Sequence, residues 1–274
     1  MSGKLILVGT PIGNLSDFSP RAVETLRECD FIAAEDTRVT LKLLNHFDIK
    51  KPLVSYFEHN KREKGEMLVS RMLAGETCCL VTDAGMPAIS DPGEDLVALC
   101  AEKGVEVFCV PGPSAVVTAL ALSGLPTGRF TFEGFLSVTK KSRFEHLESV
   151  KDEKRTMVFY EAPHKLCATL SDMLTVFGDR RIALVRELTK IHEQTLRMTL
   201  SEAVKYYEET PPKGEFVIVV DGAKEEIHNY SLDEAVKIAE NMVSNGHSVS
   251  DAAKQAAAMT GIKKAEIYKI IASK

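Results

Sequence analysis

Apolar residues fall along this chain in short runs separated by longer stretches of helical period. Residues 4–9, 31–34, 53–55, 77–82 and 105–110 are the short runs, and residues 19–28, 38–47, 65–74 and 93–102 lie between them with helical spacing. Strands separated by helices of this length predict βαβ units and a parallel sheet. Residues 115–123 are helical in composition and are closed by Gly124-Leu125-Pro126. A second set of strands follows at 129–135, 156–160, 181–186 and 215–220, with helices at 140–150, 164–177 and 201–209. The two sets meet near residues 111–114, which predicts a first α/β domain over residues 1–112 and a second over 113–223.

From Lys224 onward the pattern changes. Residues 233–243, 251–260 and 262–272 read as amphipathic helices, punctuated by Asn245-Gly246 and Thr260-Gly261. A short helix, a glycine turn and a further helix form the helix-turn-helix pattern, so residues 224–274 are expected to make a small helical domain. From Ala252 on, Lys254, Lys263, Lys264, Lys269 and Lys274 face only Glu266. Such a face is either the solvated side of a packing bundle or a docking surface for nucleic-acid phosphates.

Composition narrows the picture. At 274 residues and 45% hydrophobic content the chain can bury a real core. Its longest apolar runs, such as Phe216–Val220, fall far short of the roughly 20 residues that span a bilayer. Residues 1–9 carry one lysine before a five-residue apolar run, too short for a secretory core, and read as the first strand. A net charge of −5 argues against coating nucleic acid with the whole surface, but not against a local basic patch. None of the six cysteines forms a C-x-x-C pair, so buried free thiols in the reducing cytoplasm are expected.

The chemistry is to be sought where strands end, because open α/β sheets bind ligands beyond their carboxyl edges. Gly9-Thr10-Pro11-Ile12-Gly13-Asn14 matches neither a dinucleotide fingerprint nor a Walker loop, which disfavours phosphate binding. By itself it reads as a tight turn. After residues 77–82 comes Asp83-Ala84-Gly85-Met86-Pro87-Ala88-Ile89-Ser90-Asp91-Pro92-Gly93. Ser90 or Asp91 there is placed to cap the helix near Gly93, whereas Asp83 is too early to do so and is placed to accept hydrogen bonds from a ligand amine or ribose.

These two loops, with Val110-Pro111-Gly112-Pro113-Ser114-Ala115 and Gly214-Glu215-Phe216-Val217-Ile218-Val219, resemble the tetrapyrrole methylase superfamily. Ala34-Glu35-Asp36-Thr37-Arg38 and Phe159-Tyr160-Glu161-Ala162-Pro163-His164-Lys165-Leu166 resemble its bacterial branch of small-subunit ribosomal RNA (cytidine-2'-O)-methyltransferases. The resemblance implies two α/β domains with S-adenosylmethionine in the cleft between them, transfer of its methyl group to a cytidine ribose of 16S RNA, and a homodimer. It places the cofactor against Pro11, Asp83, Met86, Ser114 and Ala115, with Tyr160, Glu161, Ala162, Gly214, Glu215 and Phe216 completing the pocket. Lys165 stands where that branch more often has arginine, which keeps the charge and loses the planar fork.

Methyl transfer from a sulfonium is an in-line displacement with an activated leaving group, so positioning carries most of it. A ribose hydroxyl is still a weak nucleophile, and a carboxylate or imidazole can take its proton. Glu35, Asp36 and Arg38, and Glu58 with His59, are the candidates expected to face the cleft. The bland alternatives are a helix cap for Asp36 and a solvated charge run for residues 58–64. Arg38, Lys61, Arg62 and Lys64 are expected to hold RNA phosphates near the cofactor, and Lys263, Lys264 and Lys269 to dock RNA on the tail. His164 and His192 lie in no metal-ligand spacing, so no metal is expected, and Ser114 lies in no nucleophile elbow. Two rival readings share the fold: methylation of a tetrapyrrole ring carbon, and a regulator that senses the cofactor without turnover.

Overall fold

The computed structural model describes residues 3–224 and 230–273. Lys274, counted above in the basic face, lies outside the described residues. Residues 1–223 form one compact unit and 224–274 another.

The first sheet is parallel in the order β3-β2-β4-β1-β5, from β1 (Lys4–Val8), β2 (Phe31–Ala34), β3 (Leu53–Ser55), β4 (Cys78–Val81) and β5 (Glu106–Val110). Helices cover both faces, so these strands read as unbroken apolar runs. Alternate residues serve opposite faces. Val8, Ile32, Ala34, Cys79 and Val81 pack with Val23 and Leu26 of α1 (Pro20–Glu28) and Leu44 of α2 (Thr37–His46). Leu5, Phe31, Ala33, Cys78 and Leu80 pack with Leu68 and Met72 of α3 (Lys61–Leu73) and Leu96 and Cys100 of α4 (Glu94–Lys103). The chain leaves β1 toward β2 and leaves β4 toward β5, in opposite directions, so the carboxyl ends of β1 and β4 form a topological switch point.

The second sheet is mixed, in the order β6-β7-β10-β8-β9. It consists of β6 (Phe130–Phe135), β7 (Thr156–Glu161), β8 (Arg181–Arg186), β9 (Gln194–Thr199) and β10 (Phe216–Val220). Only β6 and β7 run parallel, joined through α6 (Lys140–Ser149); the other neighbours are antiparallel. One face is buried under α6, α7 (Pro163–Phe177) and α8 (Leu200–Glu209), and the other under α5 (Ala115–Ser123). Strand β9 is absent from the sequence expectations: as an edge strand it keeps its residues Gln-Thr-Leu-Arg-Met-Thr half-exposed and has no apolar run to reveal it. Helix α3 begins four residues before the expected start, because its first turn, Lys61 to Lys64, is charged and largely solvated.

Four cysteines are buried as expected, but Cys109 and Cys167 are exposed. Among the described residues no helix is long and apolar enough to cross a membrane.

The second unit holds α9 (Leu232–Ser244), α10 (Val249–Thr260) and α11 (Lys264–Ile271) around Ala235, Val236, Ala239, Ala252, Ala253, Ala256, Ile267 and Ile271. Ser231 and Glu234 close a capping box on α9, and Gly261, at φ 72°, ends α10 in the left-handed conformation that glycine adopts most cheaply. Lys254, Lys263, Lys264 and Lys269 are all exposed.

Candidate active site

The switch point is built by three loops that touch through backbone. Thr10 and Gly85 exchange N–H to carbonyl bonds of 2.9 and 3.2 Å, and the Thr10 hydroxyl donates to the Thr82 carbonyl at 3.1 Å. Gly9 packs on Gly112 so closely that a Cβ on Gly9 would sit 2.7 Å from Gly112 Cα. The Gly112 N–H donates to Met86 Sδ at 3.3 Å. Gly9 is therefore required by backbone contact rather than by a turn conformation.

Between these loops and the second sheet lies a cleft of about 570 Å³, a size suited to a small ligand. Ile12, Val185, Leu188 and Val217 give it an apolar wall, and Ser114 and Ala115 bring in the start of α5, whose first turn has no side-chain cap. Tyr160 is wedged between Phe132 and Phe135, ring centroids 5.0 and 5.3 Å away. Burial, and next Asp91, push its phenol up to about 12, so it stays neutral.

The opposite side is acidic. Glu35 Oε2 accepts the Thr82 hydroxyl at 2.8 Å, and Asp83 Oδ1 accepts the Asp36 N–H at 3.2 Å. Burial, followed by the charge of Glu35, raises the Asp83 carboxyl above its ordinary value. Asp91 is also raised, by burial first and then by Glu35 and Asp83, with the Thr82 hydroxyl opposing. Asp91 does not cap α4: Gly93 is the N-cap residue at φ 149°, with no side-chain cap, and that backbone leaves Asp91 free to line the cleft.

Of the expected cofactor residues, the cleft brings together Asp83, Met86, Ser114, Ala115, Tyr160, Glu161, Ala162, Glu215 and Phe216. Pro11 and Gly214 are not on its wall; Ile12 replaces the former, while Gly214, at φ 84°, abuts the Glu187 side chain. Glu161 is 2% exposed and serves the fold: it accepts from the Ala162 N–H (2.8 Å) and the Thr169 hydroxyl (2.5 Å) and pairs with Lys165 at 3.0 Å. Lys165 thus faces inward instead of toward a phosphate. Glu215 is bridged to Glu187 by Lys190, at 2.7 and 2.9 Å.

The residues expected to act on the acceptor divide. Asp36 and Arg38 line neither the cleft nor the cavity beside it. Asp36 caps α2, accepting the Arg38 N–H at 2.8 Å, and the Arg38 guanidinium holds its carboxyl at about 2, which makes it a poor base. The Arg38 side chain is 86% exposed. Glu58, His59 and Lys61 line a second cavity of about 510 Å³ that shares Glu35, Ile89, Ser90 and Asp91 with the cleft. Lys61 is already bound to Glu58 (2.8 Å) and Asp95 (2.7 Å), and Arg62 and Lys64 line neither cavity. The sequence reading missed Ile12, Phe135 and Asp91 on the walls. Asp91 was concealed by Pro92-Gly93, which resembles an ordinary helix entry.

A two-sheet α/β body with a ligand cleft at its switch point is the architecture of a small-molecule-dependent enzyme, and comparison with known proteins gives its family. Residues 4–204 match the model of the Tetrapyrrole (Corrin/Porphyrin) Methylases. The chain is 50% identical over 273 residues to the ribosomal RNA small subunit methyltransferase I of Halalkalibacterium halodurans, covering 98% of this chain and 94% of that one. It is 49% identical over 220 residues to the protein of the same name from Thermotoga maritima, covering 80% of this chain and 99% of that one. In structure it is similar to the uroporphyrin-III C-methyltransferase of Thermus thermophilus complexed with S-adenyl homocysteine, with a TM-score of 0.55 at 20% identity over 79% of this chain and 97% of that one. The chain belongs to the tetrapyrrole methylases and, within them, to the family of the ribosomal RNA small subunit methyltransferase I proteins.

Proposed function

We propose that the protein transfers the methyl group of S-adenosylmethionine to the 2'-hydroxyl of a cytidine in small-subunit ribosomal RNA, acting as a cytoplasmic homodimer on the assembled subunit. The observation that carries this reading is the 50% identity over 98% of the chain to a relative of that name. A tetrapyrrole acceptor has behind it only the shared fold, at 20% identity or less.

The residues of the cleft fit the cofactor. Its apolar wall suits an adenine, the uncapped start of α5 offers N–H groups to a carboxylate, and the acidic side suits an ammonium and a sulfonium. Asp83, Met86, Ser114, Ala115 and Tyr160 would hold it, with Ile12 in the place expected of Pro11. When bound, the cofactor supplies an electrophilic methyl group on sulfur. The chain's own task is to orient the ribose in line with that methyl, exclude water and accept a proton. Asp91, which borders both cavities and whose carboxyl burial raises above its ordinary value, is the proton acceptor: the ribose hydroxyl proton would move to its carboxylate oxygen. Glu58 and His59 border the acceptor, and Asp36 with Arg38 supports the loop rather than the chemistry.

Residues 1–112 and 113–223 act as the two halves of the cleft, and 224–274 as an RNA-docking unit through Lys263, Lys264 and Lys269. The test is nucleoside analysis of unmodified small subunits after incubation with the protein and labelled S-adenosylmethionine. The expected product is a single 2'-O-methylcytidine, whose position mapping then gives. Label on a base, or none on RNA, would overturn the proposal.

A further inference from the structure

The second cavity has a chemistry different from the first. It shares Glu35, Ile89, Ser90 and Asp91 with the cofactor cleft, so the two cavities adjoin along these residues, and Asp91 borders both. Its far wall carries Phe57, which is 37% exposed. Asn60 fixes that exposure by accepting the Phe57 N–H at 2.9 Å while donating to the Ser55 carbonyl at 3.2 Å. His59 meets the Phe57 ring edge-on, 6.2 Å between centroids. Holding an aromatic face in water forgoes burial and offers a platform on which a base stacks.

The polar lining has five carboxylates and one lysine. That balance keeps backbone phosphates outside the cavity and favours a base that presents N–H donors. Lys61 is shared between Glu58 and Asp95, and Glu94, in the first turn of α4, has no cation partner among the described residues. Behind Phe57, Tyr56 is 1% exposed and its hydroxyl has no hydrogen-bond partner among the described residues. Burial first, and then the charge of Asp95, push its phenol up to about 12.

We propose that this cavity receives the acceptor nucleotide, its base stacked on Phe57 and its exocyclic amine donating to Glu94, with the ribose beside Asp91. The proposal rests on the RNA 2'-O-methyl transfer proposed above. It makes Glu94 a specificity-determining residue, because cytosine presents an amine where uracil presents a carbonyl that a carboxylate repels. Phe57 acts on affinity and Glu94 on choice of base.

The test uses the full-length protein and small subunits carrying either cytidine or uridine at the mapped nucleotide. Wild type should prefer cytidine by about tenfold or more in kcat/KM, and Glu94→Gln should narrow that preference, since an amide can donate to the uracil carbonyl. Phe57→Ala should raise KM for subunits about tenfold, and Phe57→Trp should restore it. Cofactor affinity by calorimetry should stay within twofold of wild type in all three variants, which serves as the folding control. An active wild type with no cytidine preference, or variants with unchanged KM and base preference, would overturn the pocket alone. A wild type that binds S-adenosylmethionine yet methylates no ribose would instead overturn the proposed function.

Discussion

Asp91→Asn separates the chemistry of the cleft from its stability. The side chain keeps its shape and loses the ability to accept a proton as a charged base. General-base catalysis is worth about 10² to 10⁴ in rate. Two features of this site favour the lower end: the leaving group is a sulfonium, and Glu35 and Asp83 lie close enough to raise the Asp91 carboxyl and to relieve part of its loss. The expected fall in kcat is about 100-fold, or about 2.7 kcal/mol of barrier. Stability should move the other way. The folded-state pKa of Asp91 is raised, so its contribution to stability is fully present below the unfolded value near 3.9 and is lost as pH rises through the folded value. Asparagine carries no such loss, and the variant should melt above wild type at pH 8, with the gap closing toward pH 4. The assays are single-turnover transfer from tritiated S-adenosylmethionine across pH and calorimetric melting at both ends of that range. In wild type the rate should rise with pH through the Asp91 titration, and in the variant that limb should vanish. A kcat within threefold of wild type, or a variant that melts lower at pH 8 than at pH 4 relative to wild type, would refute the assignment.

Other perturbations probe the remaining parts of the molecule. Asp83→Ala should weaken S-adenosylmethionine binding by about tenfold in calorimetry, as loss of one charge-assisted contact implies, and an unchanged affinity in a folded variant would remove Asp83 from the site. Gly9→Ala forces a Cβ to 2.7 Å from Gly112 Cα, and the overpacking should cost about 1–3 kcal/mol of stability in urea melts; a neutral result would mean that the two loops separate freely. Sedimentation equilibrium should give twice the chain's 30.1 kDa at micromolar concentration, and a monomer would reject the homodimer. A chain ending at Ala223 should stay folded and bind the cofactor, because residues 1–223 form a unit and the Thermotoga relative is matched along 99% of its length by 220 residues. Its RNA affinity should fall, and alanine at Lys263, Lys264 and Lys269 should flatten the salt dependence of binding; unchanged kinetics on subunits would leave the tail a packing element.

The parts of this molecule that were legible in the sequence are those where apolar residues recur at strand or helix spacing. Strands β2, β3 and β8 and helix α5 begin and end where the apolar pattern predicts: β2 is buried throughout, β8 over its four central residues and α5 along one face, while β3 is half-buried. Strand β9 was not legible, since Gln, Thr and Arg interrupt its Leu and Met and leave no apolar run. In the candidate site the same reasoning works at the level of single side chains. Asp83 was separable from a helix cap by its distance along the chain. Asp91 was not, because whether a carboxylate three residues before a helix caps it depends on a backbone angle, and here Gly93 at φ 149° turns the chain another way. Glu161 shows the converse case. It ends a strand on the wall of the cleft, as a ligand-binding acid would, yet its partners Lys165 and Thr169 lie four and eight residues further on, one face of α7. Helical spacing of a lysine and a threonine after a strand-end glutamate was therefore a signal, available in the sequence, that this acid holds the fold. Asp91, which borders both cavities, and Glu94, which lines the second, have no such helical partner among the described residues, and on those two the proposed chemistry depends.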